Sequence, residues 1–383
     1  MKILLVYDYL SEVGGIERIM ATHTHWLKEK GHEVKMVFNF VNQEILDYEF
    51  LKGTDIRESG SLKHGGEAIR VFSALFFNKL KKYDADLVIA YSFPSLFTTR
   101  NLKAKKIFHY LPMEFVYFPV KKRWSWANDS KRKLTFFATL LLGPFLKILD
   151  KVLIKDKLVL SLSEFTQKEV KERYGVDSAI TYAPLGSVFR PSKKPSETLK
   201  KYNLHNKFVL TAGRIIPDKR TDWLIEIFSK LKDKKLDFVI AGQIEPTHKE
   251  ELVILAKKFG VTNRVKMLGL VSQKELIDLY TASEAFIFAS VKEAFGLVPV
   301  EAMACGVPVV AWKDEAGPNE YVLDGVNGYF AKPYDLDDFV DKAEKLLDGN
   351  FKKKNKKKII DSSKKFSEKE QKDIFLKAVG ASR

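Results

Sequence analysis

Residues 293–308 read Glu-Ala-Phe-Gly-Leu-Val-Pro-Val-Glu-Ala-Met-Ala-Cys-Gly-Val-Pro. They follow an apolar run, 285–289 (AFIFA), whose length and aromatic content suit a buried strand. The turn Phe295-Gly296-Leu297, with Val298 behind it, then opens a helical stretch in which Pro299 fits the first turn, where its missing N–H costs nothing. Gly296 lets the backbone approach a bound group closely. A helix N-terminus carries unpaired N–H groups and the positive end of the helix dipole, so this turn offers backbone donors to a diphosphate. Two carboxylates, Glu293 and Glu301, flank it and are expected to face one cleft, as acceptors for sugar or ribose hydroxyls. Glu301 also has a plainer reading, as an acid that complements the helix start.

Outward from this stretch, strand-like runs alternate with amphipathic ones. Residues 1–7 precede the glycine turn Gly14-Gly15. A helical stretch covers 16–30, Gly31-His32 ends it, and 33–39 (EVKMVFN) reads as the next strand. That order predicts a parallel sheet with right-handed crossovers. Further strands are expected at 85–90, 106–109, 158–163 and 179–183. The pattern restarts near 207, with strands at 208–211, 238–241, 265–268, 285–289 and 307–311 and helices at 223–231 and 274–283. Two α/β units of similar size suit 383 residues. The polar segment 189–206, with Pro191 and Pro195, marks the boundary, giving an N-terminal Rossmann-like domain over 1–188 and a C-terminal one over 189–365. The lysine-rich stretch 351–365 reads as a solvated face, and the tail 366–383 as a last helix packing back on the first domain.

A second informative stretch, Thr211-Ala-Gly-Arg214-Ile-Ile-Pro-Asp-Lys219-Arg220, again follows a strand. It places cations at the carboxyl edge of the second sheet, where open α/β folds bind ligands. An Arg fork and a Lys point charge together neutralise a diphosphate well, although surface cations are as common a reading of such a pattern alone. Gly14-Gly15 is a third phosphate-capable turn, but it is neither GxGxxG nor a P-loop, and no acidic ribose-binding residue follows the second strand. A nicotinamide oxidoreductase is therefore poorly supported. His109 ends a strand, where a neutral imidazole can bind a hydroxyl or simply pack. The other histidines show no metal-binding spacing, and the lone Cys305 excludes an internal disulfide and a cysteine-cluster metal site.

Lys and Arg outnumber Asp and Glu 65 to 49, for a net charge of +16. That surplus favours anionic partners, or simply reflects a lysine-rich composition. The lysine run lacks the interleaved aromatics that single-stranded nucleic acid would need, so nucleic acid is not an expected partner. The first residues are apolar too briefly for a signal peptide. The longest apolar run, 134–149, is interrupted by Gly143, Pro144 and Lys147 and reads as a buried or interfacial helix, not a span.

With Glu293 and Glu301 separated by seven residues, the stretch EAFGLVPVEAMACGVPVV resembles glycosyltransferase family 4, the retaining enzymes with two Rossmann-like domains facing each other across a cleft (the GT-B fold). The resemblance extends over nearly the whole chain. It takes in Gly14-Gly15, Gly31-His32-Glu33-Val34, Ser163-Glu164-Phe165-Thr166, the Gly213-Arg214…Lys219 loop, and Gly317-Pro318-Asn319-Glu320 before Gly325 and Gly328. It implies that Glu293 contacts the donor hexose and Glu301 the ribose. It implies further that Arg214 and Lys219 hold the diphosphate and stabilise the leaving group, that backbone N–H groups at Phe295, Gly296, Leu297 and Val298 contact diphosphate or sugar, that Gly14 and Gly15 let the first domain approach the donor, and that His109 lies near the reacting sugar. No metal or cofactor is implied; the leaving diphosphate helps deprotonate the incoming hydroxyl. Arg220 stands where the family has glycine after the loop lysine, Pro184-Leu185-Gly186-Ser187 replaces its usual linker, and Glu315-Ala316-Gly317-Pro318 lacks one glycine of a pair.

The phrase Phe-Gly-Leu-Val-Pro-Val-Glu is similar to mannosyl- and glucosyltransferases of that family, which favours GDP-mannose as donor, then a UDP-sugar. The expected acceptor is a glycan or a lipid-linked molecule. Aromatics (Phe115, Tyr117, Phe118, Trp124, Trp126) mix with cations (Lys121, Lys122, Arg123, Lys131, Arg132, Lys133) within 115–157, a composition suited to an anionic membrane surface. The expected location is cytoplasmic, peripheral on the inner face of the membrane. The alternatives are a nucleotide-sugar epimerase or hydrolase on the same fold, a phosphorylase, or a non-catalytic nucleotide-sugar-binding subunit.

Overall fold

The computed structural model describes residues 1–10, 14–59, 80–111 and 130–382. Their contacts fall into two units, Met1–Tyr182 with Lys372–Arg383, and Ala183–Gln371. The division precedes the 188/189 boundary suggested by composition. Leu185 already pairs within the second unit, donating its N–H to Phe366 O at 2.7 Å and accepting from Glu368 N at 3.2 Å.

The first unit runs β1 (Lys2–Leu10), α1 (Gly15–Glu29), β2 (Glu33–Val41), β3 (Ile56–Glu58), β4 (Leu87–Ala90), α2 (Phe93–Thr98), β5 (Lys105–His109), α3 (Ser130–Ile154), β6 (Leu158–Ser161), α4 (Glu164–Tyr174) and β7 (Ala179–Ile180). The strands form one parallel sheet in the order β3-β2-β1-β4-β5-β6-β7. Ile3 to Val6 are all buried, the continuous apolar pattern of a strand covered on both faces. Local signals set the helix ends. Ser163 and Thr166 form a reciprocal capping box at the start of α4, and Gly175, at φ 72°, ends it in the left-handed conformation.

The second unit runs α5 (Ser196–Lys201), β8 (Phe208–Ala212), α6 (Thr221–Lys230), β9 (Asp237–Ala241), α7 (Pro246–Lys258), β10 (Val265–Gly269), α8 (Gln273–Ala282), β11 (Ala285–Phe288), α9 (Leu297–Ala304), β12 (Val309–Trp312), β13 (Gly328–Ala331), α10 (Leu336–Leu347) and α11 (Phe351–Ser363). Its sheet is also parallel, in the order β10-β9-β8-β11-β12-β13. Phe228, Phe238, Trp312 and Phe339 fill the core between sheet and helices. The last helix, α12 (Glu368–Val379), begins in the second unit and ends in the first. There Phe375 stacks on His23 of α1 at 3.7 Å between ring centroids.

Several elements differ from the sequence expectation. Of the strand expected over 179–183 only Ala179–Ile180 pair, and the strand expected over 307–311 is shifted to Val309–Trp312. The strands β3 and β13 carry no expectation; they are edge strands, three and four residues long, whose pairing rests on tertiary neighbours. The lysine run is not wholly solvated. It forms α11, anchored by buried Ile359, and Lys352 turns inward to donate to the carbonyls of Thr281 at 2.7 Å and Ser283 at 2.5 Å. A cation is stabilised at the end of α8, where carbonyl groups point outward unpaired. Burial nonetheless pulls the Lys352 amine down to about 8. The aromatic and basic residues 115–129 lie outside the described residues.

At the carboxyl edge of the second sheet the exits of β8 and β9 touch. Gly242, at φ 141°, packs so closely that a Cβ built on it would sit 1.8 Å from the carbonyl oxygen of Gly213. Gly242→Ala is therefore expected to lower stability by at least about 2 kcal/mol, from left-handed strain and overlap together. Urea unfolding followed through the second unit checks this; an unchanged midpoint would show that the two exits separate freely.

Candidate functional site

In each sheet the strand order reverses direction once, between β1 and β4 and between β8 and β11. Loops leaving neighbouring strands at such a point diverge and leave a crevice at the carboxyl edge. In the second unit the two loops that diverge are 213–220, after β8, and 289–296, after β11.

The first loop starts at Gly213, whose N–H donates to Ala241 O at 3.0 Å, and is held by Ile215 N donating to Gln243 O at 2.9 Å. A short helical turn, Pro217–Lys219, brings Lys219 round. Arg220 follows at φ 54° and ends over the ring of Trp223, 4.0 Å from its centroid. A glycine would take that backbone conformation without strain; here a cation–π contact compensates a non-glycine residue.

The second loop passes through Ser290 and Lys292 to Glu293 and the turn Phe295-Gly296. Gly296 precedes α9 at φ 82°, and no side chain caps the helix. The amides of Leu297 and Val298 are therefore placed at an uncapped helix start, while Pro299 has none to offer. Three neighbours brace the turn. The Tyr321 hydroxyl reaches Phe295 O at 2.9 Å and Gly296 O at 3.2 Å. Gly317 donates its N–H to Glu293 O at 2.8 Å, and a Cβ there would meet Phe295 Cα at 2.4 Å. Asp314 accepts from Lys292 N at 2.8 Å.

The two loops meet through Lys219, which ion-pairs with Glu293 Oε2; the same oxygen accepts from Ser290 Oγ at 2.6 Å. The side chains are 30% and 16% exposed. Burial alone would raise the Glu293 carboxyl, but the charge and hydrogen bond of Lys219, the Ser290 hydroxyl and the charge of Arg214 together hold it below the usual carboxylate range. Val298 adds a second junction, packing 3.6 Å from where a Gly213 side chain would begin. Arg214, Lys219, Glu293 and the start of α9 are thus brought together on one edge of one unit. Glu301 is placed differently from Glu293. It is only 4% exposed, and its carboxylate accepts from the Tyr280 hydroxyl at 3.1 Å. Tyr280, Ser290 and Tyr321 escaped sequence reasoning because their roles depend on partners 3 to 26 positions away, with no local spacing to betray them.

Gly14, Gly15 and His109 belong to the first unit. Gly14 precedes α1 without a side-chain cap. Close to this edge Asp8 accepts from Ser92 Oγ at 2.6 Å, Ser95 Oγ at 3.1 Å and Asn39 Nδ2 at 3.2 Å. Burial pushes its carboxyl up to about 6 against those hydrogen bonds. His109 is fully buried, its ring stacked on Tyr91 at 4.9 Å, and neither ring nitrogen has a hydrogen-bond partner among the described residues. Burial pulls its pKa down to about 3, so the imidazole is neutral at physiological pH.

Among the described residues no group of three or more His, Cys, Asp or Glu is arranged to hold a metal ion. A groove of about 650 Å³ lies at the opposite, amino edge of the second sheet. It is lined by charges of both signs, such as Lys207 and Glu284, and lies away from the loops described above.

Residues 196–366 match the family model of group 1 glycosyl transferases. A D-inositol 3-phosphate glycosyltransferase of Mycolicibacterium smegmatis is 37% identical over 145 residues, which is 37% of this chain and 33% of that protein. The serotype-specific mannosyltransferase WbdA of Escherichia coli is 31% identical over 175 residues, 44% of this chain and 21% of that one. The chain thus spans a third or less of the length of these curated relatives. Among solved structures, HepE of Anabaena in complex with UDP-glucose superposes over 100% of both chains with a TM-score of 0.78 and 18% identity, a likeness of fold. The fold class is that of the GT-B glycosyltransferase structures, with two parallel α/β units, and the group 1 match lies within the second.

Two outcomes follow for the ionisable groups. In Lys219→Met the Glu293 carboxyl loses its main opposing charge and is expected to titrate higher than in the parent, as read by carbon-13 NMR of the labelled side chain; an unmoved titration would dissociate the two residues. His109 has its folded pKa far below the ordinary value near 6.5. The unfolded chain binds that proton first, so the His109 contribution is present above about 6.5 and declines as pH falls towards about 3. Asp8, raised to about 6, acts with the opposite sign over the upper part of that window. The stability of the parent relative to His109→Phe should fall by about 2 kcal/mol between pH 7 and 4.5, at about 1.4 kcal/mol per pH unit of proton uptake with allowance for relaxation. Urea unfolding at the two pH values measures it, and a constant gap would mean that the ring is not held neutral.

Proposed function

We propose that this chain is a retaining glycosyltransferase of family 4 that moves a hexose from a nucleotide-sugar to an acceptor hydroxyl. The observation that carries the reading is the junction of Lys219 and Glu293, beside Arg214 and the uncapped start of α9. Two cations and a row of amides suit a diphosphate, and a carboxylate beside them suits sugar hydroxyls.

In this reading Arg214, Lys219 and the amides near Gly296 hold the diphosphate, Glu293 holds the hexose, and Glu301, fixed by Tyr280, takes the ribose. In the first unit, Gly14 and Gly15 open α1 with no side-chain cap, so their backbone would allow close approach of a phosphate, whereas His109 is enclosed against Tyr91 and is left out of the proposed site. The bond from the anomeric carbon to the diphosphate breaks as the bond to the acceptor oxygen forms on the same face, and the acceptor proton passes to a leaving phosphate oxygen. The products are a glycoside and a nucleoside diphosphate. Charge building on the leaving group is met by Arg214 and Lys219, so the proposal includes no metal or other cofactor. GDP-mannose is the favoured donor, in keeping with the mannosyltransferase named among the relatives, and a UDP-sugar, bound in the HepE structure, comes next. The proposed acceptor is a glycan or a lipid-linked molecule, used at the inner face of a membrane.

Binding of a panel of GDP-, UDP- and ADP-sugars, followed by calorimetry, should single out one nucleotide class, and Arg214→Ala should lose it. Glu293→Ala or Lys219→Ala should each cost about 2–4 kcal/mol of transition-state stabilisation, a drop of about 30- to 10³-fold in turnover. Near-parental turnover in both variants would remove these residues from the site.

A further inference from the structure

α3 of the first unit leaves one side uncovered. Phe137, Leu141, Phe145, Ile148 and Val152 are all exposed, Leu141 by 82% and Phe145, Ile148 and Val152 by 64% each. At about 100° per residue these five positions fall within an arc of about 80°, and they run for about 22 Å along the helix. Such a continuous row of large apolar side chains marks a contact surface rather than scattered exposure. The opposite side is anchored: Phe136, Asp150 and Ile154 are buried, and Asp150 accepts a hydrogen bond from Tyr174 at 2.7 Å.

The charge on α3 is one-sided. Its only acidic residue is the buried Asp150, while Lys133 and Lys151 are exposed and lie along one margin of the apolar row. The row therefore has cations beside it and no exposed carboxylate on the same helix. A second copy of this chain fits poorly in antiparallel register, because such a twofold pairing of the row would set the same lysine margins against each other. No helix among the described residues is long and apolar enough to cross a membrane, and this one carries Pro144 near its middle.

We propose that the exposed face of α3 lies in the plane of an anionic lipid surface, with the apolar row seated at the headgroup–acyl boundary and Lys133 and Lys151 on the phosphates. This deepens the membrane part of the reading above and rests on it; its test reads lipid binding and not sugar transfer, so the two fail separately.

The full chain is sedimented with vesicles of phosphatidylcholine, with and without phosphatidylglycerol. Binding is expected only where phosphatidylglycerol is present. Leu141→Ser combined with Phe145→Ser should weaken it at least about tenfold, since withdrawing even one large apolar side chain is worth about that factor. Both positions are exposed, so thermal unfolding should not move, and that control separates lost docking from lost fold. Lys133→Glu with Lys151→Glu should weaken binding to the anionic vesicles as well. The proposal is overturned if the parent chain stays in solution with anionic vesicles. It is equally overturned if Lys353→Glu with Lys357→Glu on α11 abolishes binding while the α3 variants keep it, or if the parent is a dimer that Leu141→Ser with Phe145→Ser dissociates.

Discussion

Parallel pairing of β8 with both β9 and β11 is the constraint from which the candidate site follows. Right-handed crossovers that run in opposite directions along the sheet, from β8 to β9 and from β11 to β12, send the connections after β8 and β11 to opposite faces. The chain leaves β8 by one loop and returns to its other side only after β9 and β10 have been laid down. The loops after β8 and β11 therefore emerge side by side at the carboxyl edge although about 75 residues separate them, and Lys219 can reach Glu293. Without the reversal these two residues would have no reason to meet.

Close backbone approach then fixes the loops. Gly242 lies against Gly213, Gly317 against Phe295, and Gly296 against the Tyr321 hydroxyl, each at a distance that a Cβ would close. An ion pair at partial burial has little value if its members must first be gathered from mobile loops, because ordering them costs entropy. Here the backbone bears that cost in advance. Lys219 and Glu293 are held together at the carboxyl edge, and α9 starts without a side-chain cap from a turn that Tyr321 keeps in place. The first unit uses a different device at its own switch point, the hydroxyl and amide cluster around Asp8, which ties the ends of β1, β2 and the start of α2.

The two units also divide the surface chemistry. The second gathers its cations inward, with Lys219 on Glu293 and Lys352 on the end of α8, and leaves the remaining lysines of α11 in water. The first exposes an apolar row on α3 whose burial is left to something outside its own core. A sugar transferred to a membrane-bound acceptor would need both, a polar edge that holds a charged donor and a face that tolerates lipid.

The sequence by itself determined the parallel α/β class, the restart of the pattern near residue 207 and the strand–turn–helix units at Gly213 and Gly296. These are written in local periods and in glycines at turns, which act over a few residues. It also singled out Glu293, Arg214 and Lys219, since each lies in the loop that follows a strand. Only the tertiary structure decided that Lys219 pairs with Glu293, that Glu301 is enclosed by Tyr280, that His109 is sealed against Tyr91, and that Tyr321 braces the turn. It alone gave β3 and β13 their pairing and turned one lysine of a polar run into an inward cap. The physical reason is the same throughout: a contact between residues far apart in the chain is set by which strands lie side by side, and that order is a property of the whole sheet.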